Sequence, residues 1–274
     1  MLNVSVSKGR TTNMKLPYLL VLFLSLPSLS ASFSPINIFN VLEDVEEFEI
    51  PQRGIEPLMI SIGYNCWGAY QIQKHGWRTA SFPFDWNLTP VKGINQILQD
   101  NFRYFLDETH LITRHIYHQF VYNVYYNIFF AHDFPVCAGE IICDGWQQHL
   151  PEVKNKYERR IQKFNNLSDY KGKIFFIRLI FAFNQLNIDE IIILKNELIK
   201  KFPSVDFDLV LIFCGVDKKY EWLNYGIKDF YIPLVGEWEQ FWDDKEFEQK
   251  FCDIFESLGL QKKVSDFHGI NYHA

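Results

Sequence analysis

The chain has 274 residues, 48% hydrophobic and 17% aromatic, with a formal net charge of -6. That apolar supply is enough to bury a sizeable core and excludes a chain that is disordered throughout. The acidic balance, with no long basic run, argues against nucleic acid or an anionic membrane surface as the main partner.

Lys8, Arg10 and Lys15 precede an apolar run from Leu16 to Leu26, which Pro27 ends before Ser28, Leu29, Ser30 and Ala31. Positive residues, a short apolar stretch and small residues, in that order, are the pattern of a secretory signal peptide. The run is shorter than the roughly 20 residues a membrane-spanning helix needs. Residues 1–30 therefore read as a signal peptide cleaved after Ser30, with Met14 as an alternative start and an uncleaved membrane anchor as the alternative fate. Cleavage leaves a secreted or periplasmic protein without a stable membrane span. Residues 31–57 read as an N-terminal arm with an acidic patch (Glu43, Asp44, Glu46, Glu47, Glu49). Residues 58–260 form one domain and 261–274 a polar tail.

Within the domain, Leu58–Ile62 reads as a short strand that enters the turn Gly63-Tyr64-Asn65. Cys66 then opens a helix ended by Gly76. Pro83 keeps the extended segment 78–86 out of the middle of a sheet, and Thr89 with Pro90 starts a second helix. The aromatic stretch 118–130 reads as a strand with His132 and Asp133 at its end. Residues 135–151 form an irregular loop, and Pro151 opens a charged helix. After that the pattern alternates: strand 173–180, helix 188–202, strand 207–214, strand 229–233, helix 243–258. Strand–helix alternation with nearly all-apolar strands predicts an α/β fold, a single domain of three-layer type with a mostly parallel sheet and helices on both faces.

Export would give the five cysteines an oxidising compartment, where an odd count leaves one thiol over. Cys137 and Cys143 are spaced to close a small loop. Cys214 ends a core strand, and the helix bearing Cys252 is expected to pack near it. If those four pair, Cys66 is the remaining thiol. A helix N-terminus supplies unpaired N–H groups and positive dipole character, which favour a thiolate. Cys66 is thus the candidate nucleophile, with Gly63 and Asn65 shaping a turn whose N–H groups could hold an oxyanion.

A thiol nucleophile needs an imidazole to take its proton. His132, at a strand end, is the candidate base, whereas His75 lies at the far end of the Cys66 helix and is expected to be too remote. His110, His115, His118 and His149 fit no common zinc spacing, so no metal and no cofactor are expected. His268, beside Asp266, is read as solvated. Asp85, between Phe84 and Trp86, needs a cation or imidazole if buried. Arg78 and Arg178 are its candidate partners, and the orienting acid of a triad is its candidate role, with Asn184 as an alternative.

The stretch GYNCWGAYQIQKHGWRTASFPFDW resembles the signature of a bacterial family known as putative papain-like cysteine peptidases, a domain otherwise of unknown function. AHDF (131–134), KYERRIQKF (156–164) and IFFIR (174–178) are similar as well, so the likeness spans about 60 to 250. It implies Cys66 as nucleophile, His132 as base, and a protein, peptide or acylated substrate. A papain carries an antiparallel barrel that the alternation after Lys173 does not resemble. SGNH-type esterases and the GSCFA family resemble this chain in strand-turn-nucleophile layout, and imply an ester on a glycan or lipid. A third expectation is a non-catalytic module whose Trp67, Trp77, Trp86 and Trp146 grip a carbohydrate or protein.

Overall fold

Apolar strand runs alternate with amphipathic helices along the chain. A computed structural model describes residues 56–114, 117–137, 141–181, 186–216, 220–233 and 245–261. In chain order the elements are β1 (Leu58–Ser61), α1 (Trp67–Lys74), β2 (Asn87–Leu88), α2 (Val91–Gln99), β3 (Leu111–Arg114), β4 (Tyr117–Asn123), β5 (Ile128–Phe130), β6 (Val136–Cys137) and β7 (Ile141–Ile142). There follow α3 (Leu150–Asn165), β8 (Ile174–Phe181), α4 (Ile188–Lys201), β9 (Phe207–Cys214), β10 (Lys228–Ile232) and α5 (Lys245–Ser257). The stretch expected to be a signal peptide, most of the expected N-terminal arm and nearly all of the expected tail lie outside the described residues. Among those described, no helix is long and apolar enough to cross a membrane.

β1, β8, β9 and β10 form a parallel sheet in that order. β8, with the sequence IFFIRLIF, is buried along its whole length. Its lack of polar alternation follows from being covered on both sides. Ile60, Phe176, Ile180, Leu209, Leu211 and Phe213 join one large cluster with Ile94 and Ile97 of α2 and Ile191, Leu194 and Leu198 of α4. The opposite face carries α1, brought close by Gly68, where an added Cβ would sit 2.9 Å from Ser61 Oγ and 3.8 Å from Leu179 Cγ. The expected α/β fold with a parallel sheet is therefore present.

A second sheet, ordered β2-β5-β4-β3 and antiparallel throughout, is inserted between α1 and β8. The single strand expected over 118–130 is instead two, β4 and β5. The reason is Asn123: its Oδ1 accepts from Tyr125 N and Tyr126 N, both at 2.9 Å, while its Nδ2 donates to Tyr104 O at 2.7 Å. That side chain pins a turn inside a stretch whose propensity is uniformly for strand.

The two sheets are tied by Arg178 of β8, which is buried. Its Nη1 donates to Ile62 O at 2.9 Å and its Nη2 to Thr89 O at 2.7 Å. Burial pulls its guanidinium down to about 9, leaving it charged at neutral pH. Cys137 and Cys143 close the β6–β7 hairpin with a disulfide. The other expected bridge is absent, because Cys214 and Cys252 are both thiols. Cys214 is sealed in the core, and Cys252 turns to His75 instead. Trp67, Trp77, Trp86 and Trp146 are at most 6% exposed, so they are core residues and offer no binding platform.

Candidate active site

β1 leaves the sheet through two successive residues in the left-handed region, Gly63 (φ +77°) and Tyr64 (φ +81°). A non-glycine residue there carries strain of roughly 1–3 kcal/mol and persists only when its surroundings hold it. Here Thr89 N donates to Tyr64 O at 3.0 Å, and the Tyr64 ring packs on Phe181 with centroids 5.2 Å apart. A side chain at Gly63 would be strained by the positive φ and crowded as well, since a Cβ would lie 3.2 Å from Thr89 Cβ. Asn65 Oδ1 then accepts from Trp67 N at 3.1 Å, which starts α1 in the manner of an Asx turn. Cys66 follows that bend as the N-cap of α1. It thus sits beyond the carboxyl end of a parallel strand, where α/β sheets commonly hold their sites.

The Cys66 thiol is half-buried and unbridged. Burial pushes it up to about 11, opposed only in part by its own backbone N–H. The helix N-terminus is therefore not enough to make the expected thiolate, and Cys66 rests as a neutral thiol at neutral pH. Trp67 N–H is spent on Asn65, so the first-turn donors left without intrahelical acceptors are those of Gly68 and Ala69.

His132 follows β5 and lies edge-on to Trp86, centroids 6.1 Å apart. Burial pulls its pKa down, Asp133 opposes this and Lys156 adds to it, so the imidazole is neutral at pH 7. No hydrogen bond joins Cys66 and His132.

Asp85 is buried and accepts from Phe82 N at 2.9 Å, with Arg78 Nη2 at 3.4 Å. Of its two expected partners the structure supplies Arg78; Arg178 is committed to the two carbonyls that tie the sheets. Burial raises the Asp85 pKa, with Arg78 opposing most strongly. Arg78 also donates to Ser81 Oγ at 2.8 Å and Gln73 Oε1 at 3.2 Å, and lies over the Trp86 ring at 5.3 Å. Asp85 thus braces the Trp86 side of His132, and no hydrogen bond links it to the imidazole.

The group that sequence reasoning missed is Asp133. Its Oδ1 pairs with Lys156 Nζ at 2.6 Å, and its Oδ2 accepts from Tyr157 OH at 2.8 Å. The same hydroxyl lies 3.0 Å from Asn87 Oδ1, and Asn87 Nδ2 donates to Pro83 O at 2.8 Å. The motifs FPFDWN, AHDF and KYERR therefore meet in one buried network beside His132. Their shared appearance in the sequence was the available signal.

Of the other histidines, His110 packs against Tyr104 and Tyr125, and His149 lies beside Gln148. Asn184, His115, Asp266 and His268 lie outside the described residues. Among the described residues, no three His, Cys, Asp or Glu side chains converge as metal ligands would. An open cleft of about 640 Å³ at the start of α4, lined by Leu186 to Glu190, takes in none of the predicted site residues.

A family model described as "Putative papain-like cysteine peptidase (DUF1796)" matches residues 57–216. The chain belongs to that family. The family span contains the elbow, Asp85, His132, the Asp133 network and Arg178, and ends before β10 and α5. The chain is also similar to uncharacterized protein R408 of Acanthamoeba polyphaga mimivirus, 28% identical over 194 residues, which cover 62% of this chain and 83% of the viral protein. No solved structure matches.

Proposed function

We propose that this chain is a thiol-dependent acyl hydrolase with Cys66 as nucleophile and His132 as general base. The observation that carries the reading is the strained bend at Gly63 and Tyr64, which delivers a cysteine to a helix start at the carboxyl end of β1. Elbows of this kind present nucleophiles in other α/β hydrolases. The family's description supports the same chemistry.

Because the resting thiol is neutral, proton transfer accompanies attack. Neutral His132 takes the Cys66 proton as Sγ bonds to the substrate carbonyl carbon. The oxyanion faces the Gly68 and Ala69 N–H groups. Collapse breaks the scissile bond, the leaving group takes the proton from His132, and water then releases the acyl group from sulfur. Trp86 and the Asp133 network hold the His132 segment, while Asp85 works at one remove through Arg78. Substrate binding must bring sulfur and imidazole within hydrogen-bond reach, as catalytic contacts often tighten only in the complex. The substrate is a protein, peptide or acylated group met outside the cytoplasm. The leader pattern and the Cys137–Cys143 disulfide support that compartment. The parallel sheet favours an ester substrate as a second reading, in the manner of SGNH or GSCFA enzymes.

Intact-mass spectrometry with peptide and p-nitrophenyl acyl substrates tests both. An acyl adduct mapped to Cys66, absent in Cys66→Ala and slowed in His132→Ala, is expected. The substrate set that turns over separates amide from ester cleavage. Acylation that survives Cys66→Ala would end the assignment.

A further inference from the structure

We propose that His75 and Cys252, the latter beyond the family-matched span, form a second thiol–imidazole site at which a small peroxide oxidises the thiol to a sulfenic acid. Cys252 Sγ lies 3.4 Å from His75 Nδ1. The two residues come from different elements: His75 is the C-cap of α1, and Cys252 lies in α5. Phe255, one turn along α5, holds the imidazole edge-on with centroids 5.3 Å apart. Lys74, next to His75, and Glu248, one turn before Cys252, pair across the same two helices at 2.9 Å. That pair ties α1 to α5 beside the thiol and the ring.

The other thiols are worse placed. Cys214 is sealed in the core, where burial drives its pKa far up. Cys66 is half-buried and has no imidazole within hydrogen-bond reach. Cys252 is also half-buried, and its contact with an imidazole is what sets it apart from Cys66. With the ring proton on Nε2, Nδ1 accepts the thiol proton and leaves a thiolate beside an imidazolium. The sulfur attacks one peroxide oxygen and the O–O bond breaks. The departing hydroxide takes the proton from His75 and leaves as water. Sulfur is oxidised by two electrons and the peroxide is reduced by two.

The test uses the full chain with the Cys137–Cys143 disulfide intact, exposed to hydrogen peroxide in the presence of dimedone, with labelling read peptide by peptide. Cys252 is expected to label at least about tenfold faster than Cys66 or Cys214, and His75→Gln to remove that advantage. If His75→Gln does not fold, the wild-type ranking decides alone, with Cys252→Ser locating the fast label. Equal rates at Cys252 and Cys66, or a rate at Cys252 indifferent to a folded His75→Gln, would overturn the proposal. Because each cysteine is read on its own peptide, the outcome is independent of whether Cys66 acts as a hydrolytic nucleophile.

Discussion

Replacing Tyr157 by Phe removes one oxygen from the point where three sequence motifs meet. The ring is fully buried, and its hydroxyl donates to Asp133 at 2.8 Å with Asn87 Oδ1 at 3.0 Å. Burial and the neighbouring carboxylate hold the phenol well above its ordinary range, so it stays a donor at every accessible pH. A hydrogen bond to a charged acceptor contributes roughly 1.5–3 kcal/mol, and Asp133 keeps its Lys156 contact in the variant, so the expected loss is about 2 kcal/mol. For a domain of this size that lowers Tm by roughly 4–8 °C. Urea unfolding of the single variants and of Tyr157→Phe with Asp133→Asn gives a cycle, in which coupling of about 1 kcal/mol is expected. A loss below about 0.5 kcal/mol, or strictly additive variants, would refute the claim that this network holds the His132 segment.

Gly93→Ala in α2 reverses the usual sign of its kind. In an open helix the change gains about 1 kcal/mol, but here a Cβ would stand 2.3 Å from Tyr126 O, so a loss of about 3 kcal/mol in urea is expected and a gain would refute the packing. His132 links stability to pH. Its folded pKa lies below the ordinary 6.5, so between the two values the unfolded chain binds a proton that the folded chain lacks. Stability therefore rises with pH through that window and is lost as pH falls, and His132→Gln should flatten Tm against pH there; an unchanged slope would contradict the burial. Cys66 without substrate should alkylate with iodoacetamide about a hundredfold more slowly at pH 8 than an ordinary thiol, its rate climbing toward pH 11. A plateau below pH 9 would show an activated thiolate instead.

Much of the fold could be read directly because its signals are local. β9 runs over the residues expected of it, β8 is shifted by one residue at each end, and α4 stops one residue early. Their apolar runs and caps lie within a few positions of one another, and in α4 Asn187 accepts from Asp189 N at 3.0 Å. The β4–β5 hairpin was not legible. Strand propensity is uniform across it, and the Asn123 side chain that pins the turn is itself held by the distant carbonyls of Tyr104 and Phe105. The partners of Asp85 were half legible: Arg78 is seven positions away, whereas the fate of Arg178 depends on carbonyls 89 and 116 positions distant.

By itself, then, the order of residues dictated an α/β chain with a cysteine after a glycine bend, because propensity, periodicity and turn chemistry act over a few bonds. Only tertiary packing decided that this cysteine rests as a neutral thiol, and that Asp133 is held by Tyr157 and Lys156 while Asp85 pairs with Arg78. It also decided that Cys252 meets an imidazole instead of Cys214. Burial and charge proximity are properties of three-dimensional neighbourhoods, and they set proton affinities and pairings that linear spacing does not encode.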